Sequence, residues 1–131
     1  MPTYDPKYAT LIVDGRYITG FDEGAMFTAE KDEDFFTTKA DAQGVPIVTE
    51  SNDPFGTVAS TLSQTSTSYE YLKQLAKRKT PFPVWVNYND GVTKEKAGGT
   101  QARITKTPSK EFSNEASGRE FSFKVFDYTE E

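Results

Sequence analysis

The sequence predicts a mainly β fold: an antiparallel two-sheet β barrel or sandwich flanked by one α-helix. Three observations carry this. An Asp-Gly pair, Asp14-Gly15, sits between short β-branched and aromatic runs; the closing segment REFSFKVFDY alternates with period two; and only one stretch has helical periodicity. These periods are diagnostic because side chains return to one face every second residue in a strand and every three to four in a helix.

The elements follow in order. Leu11-Ile12-Val13 and Tyr17-Ile18 flank Asp14-Gly15, a hairpin whose two turn residues need the positive φ of a type I′ turn. Gly20 and Gly24 frame a turn before a strand over Ala25 to Glu30. The segment 31–52 is polar, charged and mostly aperiodic, and reads as a long loop. Excursions of that length in a compact domain are functional or disordered. FGTVASTLSQ, Phe55 to Gln64, reads as a strand with Val58 and Leu62 on one face and Thr57, Ala59, Thr61 and Ser63 on the other.

A helix is expected over about 67–79. Thr67 stands as N-cap with Glu70 three residues on, and Tyr69, Leu72, Leu75 and Ala76 form one apolar stripe. Lys77-Arg78-Lys79 fall in the last turn, where the helix dipole favours cations, and Pro81 and Pro83 end the helix. The dipole explains this basic cluster better than nucleic-acid binding does. Val84 to Tyr88 then runs into Asp90-Gly91, a second hairpin signal, and Val92 to Lys96 returns. Gly98-Gly99 reads as a bulge or bend, Ala102 to Lys106 as a strand, and Pro108 to Gly118 as a polar loop. In the last strand, Arg119 to Tyr128, one face carries Phe121, Phe123 and Val125, the other Ser122, Lys124, Phe126 and Tyr128. Aromatics on both faces imply burial on both sides, in the monomer or on assembly.

Composition excludes several functions. At 131 residues the chain fits a single domain, 1–131. With no cysteine and no histidine it has no disulfide, no thiolate or imidazole metal site and no Ser-His-Asp triad. A net charge of -5 disfavours binding to a phosphate backbone. No apolar run approaches the roughly 20 residues of a membrane helix, MPTYDPKYAT lacks the parts of a signal peptide, and there is no N-x-[ST] sequon. The expectation is a soluble protein made in a cytoplasm, with no membrane anchor.

Glu30 to Asp34 crowd four carboxylates before Phe35-Phe36. An EF-hand begun at Asp32 would place Phe36 at the fifth position, Thr37 at the obligatory glycine and Gln43 at the terminal glutamate, so that reading fails. A looser carboxylate site for a hard cation is the weaker alternative. Ala97-Gly98-Gly99-Thr100 lacks the lysine and spacing of a phosphate loop. Trp85 reads as an aromatic anchoring the core where helix meets sheet, ahead of stacking on a sugar or base. No catalytic, metal or cofactor residue emerges, and an enzyme has no positive support.

With the pieces in order, Tyr4-Asp5-Pro6-Lys7, Val13-Asp14-Gly15, Gly20-Phe21 with Glu23-Gly24, Glu30 to Asp34 with Thr38-Lys39, Thr61-Leu62 with Gln64-Thr65-Ser66, Pro83 to Val86, Lys94 to Gly99, Arg119-Glu120-Phe121 and Val125 to Tyr128 together resemble the inner tail-tube proteins of contractile-tailed bacteriophages. The likeness spans nearly the whole chain without a short diagnostic signature. Phage-derived contractile bacteriocins and the type VI secretion needle are similar in architecture.

The resemblance implies a two-sheet β domain whose copies close into hexameric rings, stacked as a tube inside a contractile sheath. It further implies partners: the chain itself, the sheath protein, baseplate or initiator and tail-terminator proteins, and a tape-measure protein in the lumen, with DNA passing through unbound. The location implied is the virion tail, assembled in the host cytoplasm. No catalytic residue or cofactor carries over.

Three sets of residues are expected to matter. Lys31, Asp32, Glu33, Asp34, Phe35, Phe36, Lys39 and Asp41 look like the extended loop that reaches an adjoining subunit. The hydroxyl-rich face Thr57, Ala59, Thr61 and Ser63 suits a lumen, because each lysine facing DNA would add affinity and slow transit. Phe121, Phe123, Phe126 and Tyr128 would form an assembly strand. The alternative function is a β-sandwich module that binds carbohydrate or protein through Trp85 or Phe35-Phe36.

Overall fold

The computed structural model describes residues 6–21, 27–108, 110, 112 and 118–131. After a 3-10 turn at Pro6–Tyr8, the strands are β1 Ala9–Val13, β2 Arg16–Tyr17, β3 Phe27–Lys31, β4 Phe36–Ala40, β5 Pro46–Glu50, β6 Gly56–Ser63, β7 Phe82–Asn89, β8 Lys94–Ile104, β9 Gly118–Val125 and β10 Thr129–Glu130. The helix α1 is Thr67–Ala76. Eight strands make one antiparallel sheet in the order β2-β1-β7-β8-β9-β6-β3, with β10 also beside β8, while β4 and β5 pair only with each other. The fold is mainly β with one helix, as the sequence predicts.

The large sheet folds over itself. Leu11, Val13, Phe82 and Val84 face Val58, Leu62, Phe121, Phe123 and Val125 in one buried cluster. Phe82 and Phe123 meet edge to face across it, with centroids 6.4 Å apart. Removing these side chains from water is the main driving force for the fold. Among the described residues β3 pairs with β6 alone, so the sheet is sandwich-like and does not close into a barrel.

At the Val13 end of β1 the helix plugs the sandwich. Leu72 and Leu75 are buried, Tyr69 lies edge-on to Phe121 at 5.9 Å, and the Tyr71 hydroxyl donates to the Val13 carbonyl at 3.3 Å. The N-cap is Ser66, one residue before the expected Thr67. Its hydroxyl accepts from the Ser68 N–H (3.1 Å) and donates to the Thr19 carbonyl (2.6 Å), tying the cap to the chain before β3. The helix ends at Ala76, short of the expected Lys79, and Arg78 instead pairs with Asp14 at 2.8 Å and covers the Phe82 ring. At the Ala9 end of β1 the mouth between the two sheet halves stays open.

Turn chemistry explains the hairpins. Asp14 and Gly15 have φ of 51° and 80°, as a type I′ turn requires. Asp90-Gly91 opens a longer loop: only Gly91 has positive φ, and the Asp90 carboxylate accepts from the N–H groups of Val92 (2.9 Å) and Thr93 (2.6 Å). The expected irregularity at Gly98-Gly99 is present. The β7–β8 register slips between Phe82↔Ala102 and Val84↔Gly99, and a Cβ on Gly98 (φ 135°) would sit 2.1 Å from the Val84 carbonyl oxygen. There the neighbour of β8 changes from β10 to β9, and the Asp127 carboxylate fills the break. It accepts from the N–H groups of Thr100 (3.2 Å) and Gln101 (3.0 Å) and from the Thr100 hydroxyl.

Three expectations change. The long loop over 31–52 contains the β4–β5 hairpin, because Thr37, Thr38, Ile47, Val48 and Thr49 suit a ladder that the charges on either side obscure in sequence. Trp85 points to the outer face of β7, half-buried, with Lys96 Nζ 4.3 Å from its ring centroid; it does not anchor the core against the helix. The last strand stops at Val125, and Phe126-Asp127 form a turn before β10. Gly24, Ala25 and most of the Pro108–Gly118 loop lie outside the described residues.

Candidate assembly surfaces

The arm is built around Asp41. Its carboxylate accepts from the N–H groups of Gln43 (2.8 Å) and Val45 (2.9 Å), an Asx-type turn, while Gly44 N–H reaches the Asp41 carbonyl at 3.0 Å. Below the turn β4 and β5 run in register from Ala40↔Pro46 to Phe36↔Glu50. Every residue of both strands is exposed. Directly opposed residues share a face, so Lys39 with Ile47 and Thr37 with Thr49 lie on one side, and Phe36 with Glu50 and Thr38 with Val48 on the other. Phe35 is 70% exposed and Val48 56%, at a hairpin whose strands pair with no other strand among the described residues. Isolated two-stranded hairpins are marginal in water, and contiguous exposed apolar groups mark interaction sites.

The acidic cluster serves the root of this arm. Asp32 is ion-paired with Lys124 on β9 and accepts from the Thr57 hydroxyl at 2.6 Å. The Lys124 hydrogen bond, then that of Thr57, holds the Asp32 carboxyl below the usual aspartate range. Lys31 Nζ donates to the Asp53 carbonyl at 2.6 Å and lies 5.4 Å from the Phe35 centroid. Glu33 and Asp34 are exposed. Among the described residues no group of three or more carboxylates is arranged to hold a metal ion.

The face Thr57, Ala59, Thr61 and Ser63 alternates with buried Gly56, Val58, Ser60 and Leu62 along β6. Register adds Thr28 and Glu30 from β3, and Glu120, Ser122 and Lys124 from β9, to the same outer face. The result is a broad hydroxyl-rich surface that also carries the carboxylates of Glu30 and Glu120, and on which Lys124 is already committed to Asp32.

The assembly strand requires correction. Phe121 and Phe123 are 0% exposed in the core, and β9 is hydrogen-bonded by β6 along its whole length and by β8 over Phe123 to Val125, so neither ring is on a surface open to a neighbour. Phe126 and Tyr128 lie beyond the strand. Phe126 packs edge-on to Phe55 (6.2 Å), and the Tyr128 hydroxyl donates to Glu130 at 2.7 Å. Burial, and then the bond to Glu130, raises the Tyr128 pKa well above the usual tyrosine value. Alternation alone cannot show where a strand turns, which is why two aromatics of a separate turn read as its second face.

Sequence reasoning missed the open mouth. Ala9, Val86 and Tyr88 line one side, Phe27 and Ala29 the other, with Asp90 and Glu95 at the rim, around a groove of about 470 Å³. Tyr128 and Glu130 continue it. These residues come from four distant segments, so no local pattern joins them.

No protein-family model matches the chain, and no curated protein matches it. Solved structures do. The sheath/tube terminator of the extracellular contractile injection system PVC, in its extended state, aligns over 100% of this chain and 98% of its own, with a TM-score of 0.63 at 10% identity. The tube-terminating cap of the anti-feeding prophage aligns over 100% and 93%, with a TM-score of 0.60 at 12% identity. A chain of the PVC sheath-tube complex, also extended, aligns over 96% and 90%, with a TM-score of 0.59 at 12% identity. The chain thus shares its fold with the terminators of two contractile systems and with a chain of a sheath-tube complex. That is the fold its sequence resemblance to the inner tail-tube family implies.

Proposed function

We propose that the chain is a structural subunit of a contractile tail or injection apparatus. As a single tube-like domain it assembles with itself into hexameric rings that form the channel inside a sheath. The observation that carries this reading is the β4–β5 arm, which holds its apolar side chains in water unless another subunit covers them. The whole-chain fold likeness supports it. In this reading Lys31 to Asp41 reach a neighbouring subunit, and Thr57, Ala59, Thr61 and Ser63 line a lumen through which DNA or another cargo slides without binding. The sheath, an initiator, a terminator and a tape-measure protein are the partners, the tail is the location, and the role is non-enzymatic.

Replacing residues 36–50 by a Gly-Gly turn tests this. The variant is expected to keep the far-UV spectrum and melting temperature of the body, yet to form no rings in sedimentation velocity where the intact chain does. Rings formed equally well without the arm would contradict the proposal.

A further inference from the structure

The arm's receiving site is on the same chain. We infer that the Lys39–Ile47 face of one copy's arm docks in the open mouth of a second copy, against Phe27, Ala29, Val86 and Tyr88; this rests on the assembly reading above. Two observations converge on that occupant.

The first is charge. Glu95 lies opposite Tyr88 and Glu130 opposite Ala97, so strand alternation aims both carboxylates at the mouth, while Lys94 and Lys96 fall on the outer face. Neither Glu95 nor Glu130 forms an ion pair among the described residues, and Glu130 only accepts the Tyr128 hydroxyl. On the arm, Lys39 is the single cation between Phe36 and Glu50, and it likewise has no ion pair among the described residues. An unpaired ammonium next to an exposed isoleucine fits an apolar groove rimmed by unpaired carboxylates.

The second is shape and chain economy. The mouth is the place where the sandwich core reaches solvent, since Val86 and Ala29 pack on the buried cluster yet line the groove. Ile47 seated there would extend that cluster across the subunit boundary, covering apolar surface on both partners at once.

The chain has no cysteine, so introduced thiols report the contact cleanly. Lys39→Cys and Glu95→Cys, both at exposed positions, are made as separate single variants, mixed under assembly conditions and oxidised. A covalent heterodimer is expected, with several-fold less product from Lys39→Cys mixed with Thr61→Cys. In the otherwise native chain, Lys39→Glu should weaken assembly several-fold, and adding Glu95→Lys should restore it. Assembly seen in the microscope without a cross-link between the thiols introduced by Lys39→Cys and Glu95→Cys, or with no restoration by the charge exchange, would overturn the docking and leave the ring reading standing. Failure of the unmodified chain to assemble at all would overturn both.

Discussion

Asp127 shows how much can depend on one residue. Where β8 exchanges one neighbour for another, two backbone N–H groups would face no carbonyl, and the Asp127 carboxylate accepts both. Burial alone would raise its pKa, but the bonds from the Thr100 hydroxyl and the N–H groups of Gln101 and Thr100 outweigh that and hold it below the ordinary 3.8. A carboxyl held low in the folded state stabilises while ionised, so its contribution is present above the unfolded pKa and lost as pH falls through the folded value. Asp127→Asn should therefore flatten the decline in stability below pH 3.8 relative to the native chain, measured by urea unfolding at several pH values. Asp127→Ala should cost about 0.5–1.5 kcal/mol at neutral pH, because it removes the acceptor that the exposed Thr100 and Gln101 N–H groups share.

Strand faces give a second residue-scale test. Leu62→Ala empties a fully buried site and should cost about 2–5 kcal/mol, whereas Thr61→Lys, on the half-exposed outer face, should stay within about 0.5 kcal/mol. Equal losses would mean that the faces are assigned wrongly. Trp85→Ala should cost less than Leu62→Ala, since the indole lies on the outer face beneath Lys96. Loss of binding to a carbohydrate on that change, with folding intact, would favour the binding-module alternative.

At the scale of elements, the legible parts were those whose cause is local. Asp14-Gly15 specified its turn, Leu72 and Leu75 their helix face, and Val58 and Leu62 their strand face, because each signal lies within a few residues of its effect. Ser66 displaced Thr67 as cap because its hydroxyl also finds the Thr19 carbonyl, a contact 47 residues away. The hairpin arm was hidden because β-branched residues at Thr37, Thr38, Ile47 and Val48 are framed by charges and by Gly44, which sequence alone reads as loop. Of the candidate surfaces, the arm and the hydroxyl-rich face were visible as patches of composition. The mouth was not, since Ala9, Phe27, Val86 and Glu95 meet only through the sheet order. The arm's root is testable in the same terms. Asp32→Ala removes the partner of Lys124 and Thr57 and should loosen the arm, seen as faster amide exchange over 36–50 with the core unchanged.

The whole molecule has two unequal outer faces. One, over β6, β9 and β3, is small-residue and hydroxyl-rich; the other, over β1, β7 and β8, carries Trp85, Lys94 and Lys96. A ring with the first face inward would present a wall that holds no phosphate strongly, and would turn its aromatic and cationic side toward a sheath. Stacked tubes of varying length are expected of a repeating tube subunit, and single closed rings of a terminating one. Both are hollow. The most direct measurement is negative-stain electron microscopy of the intact chain, concentrated from micromolar to millimolar. Hollow rings or tubes built from this chain alone are the expected result; a protein that remains monomeric across that range would contradict the account.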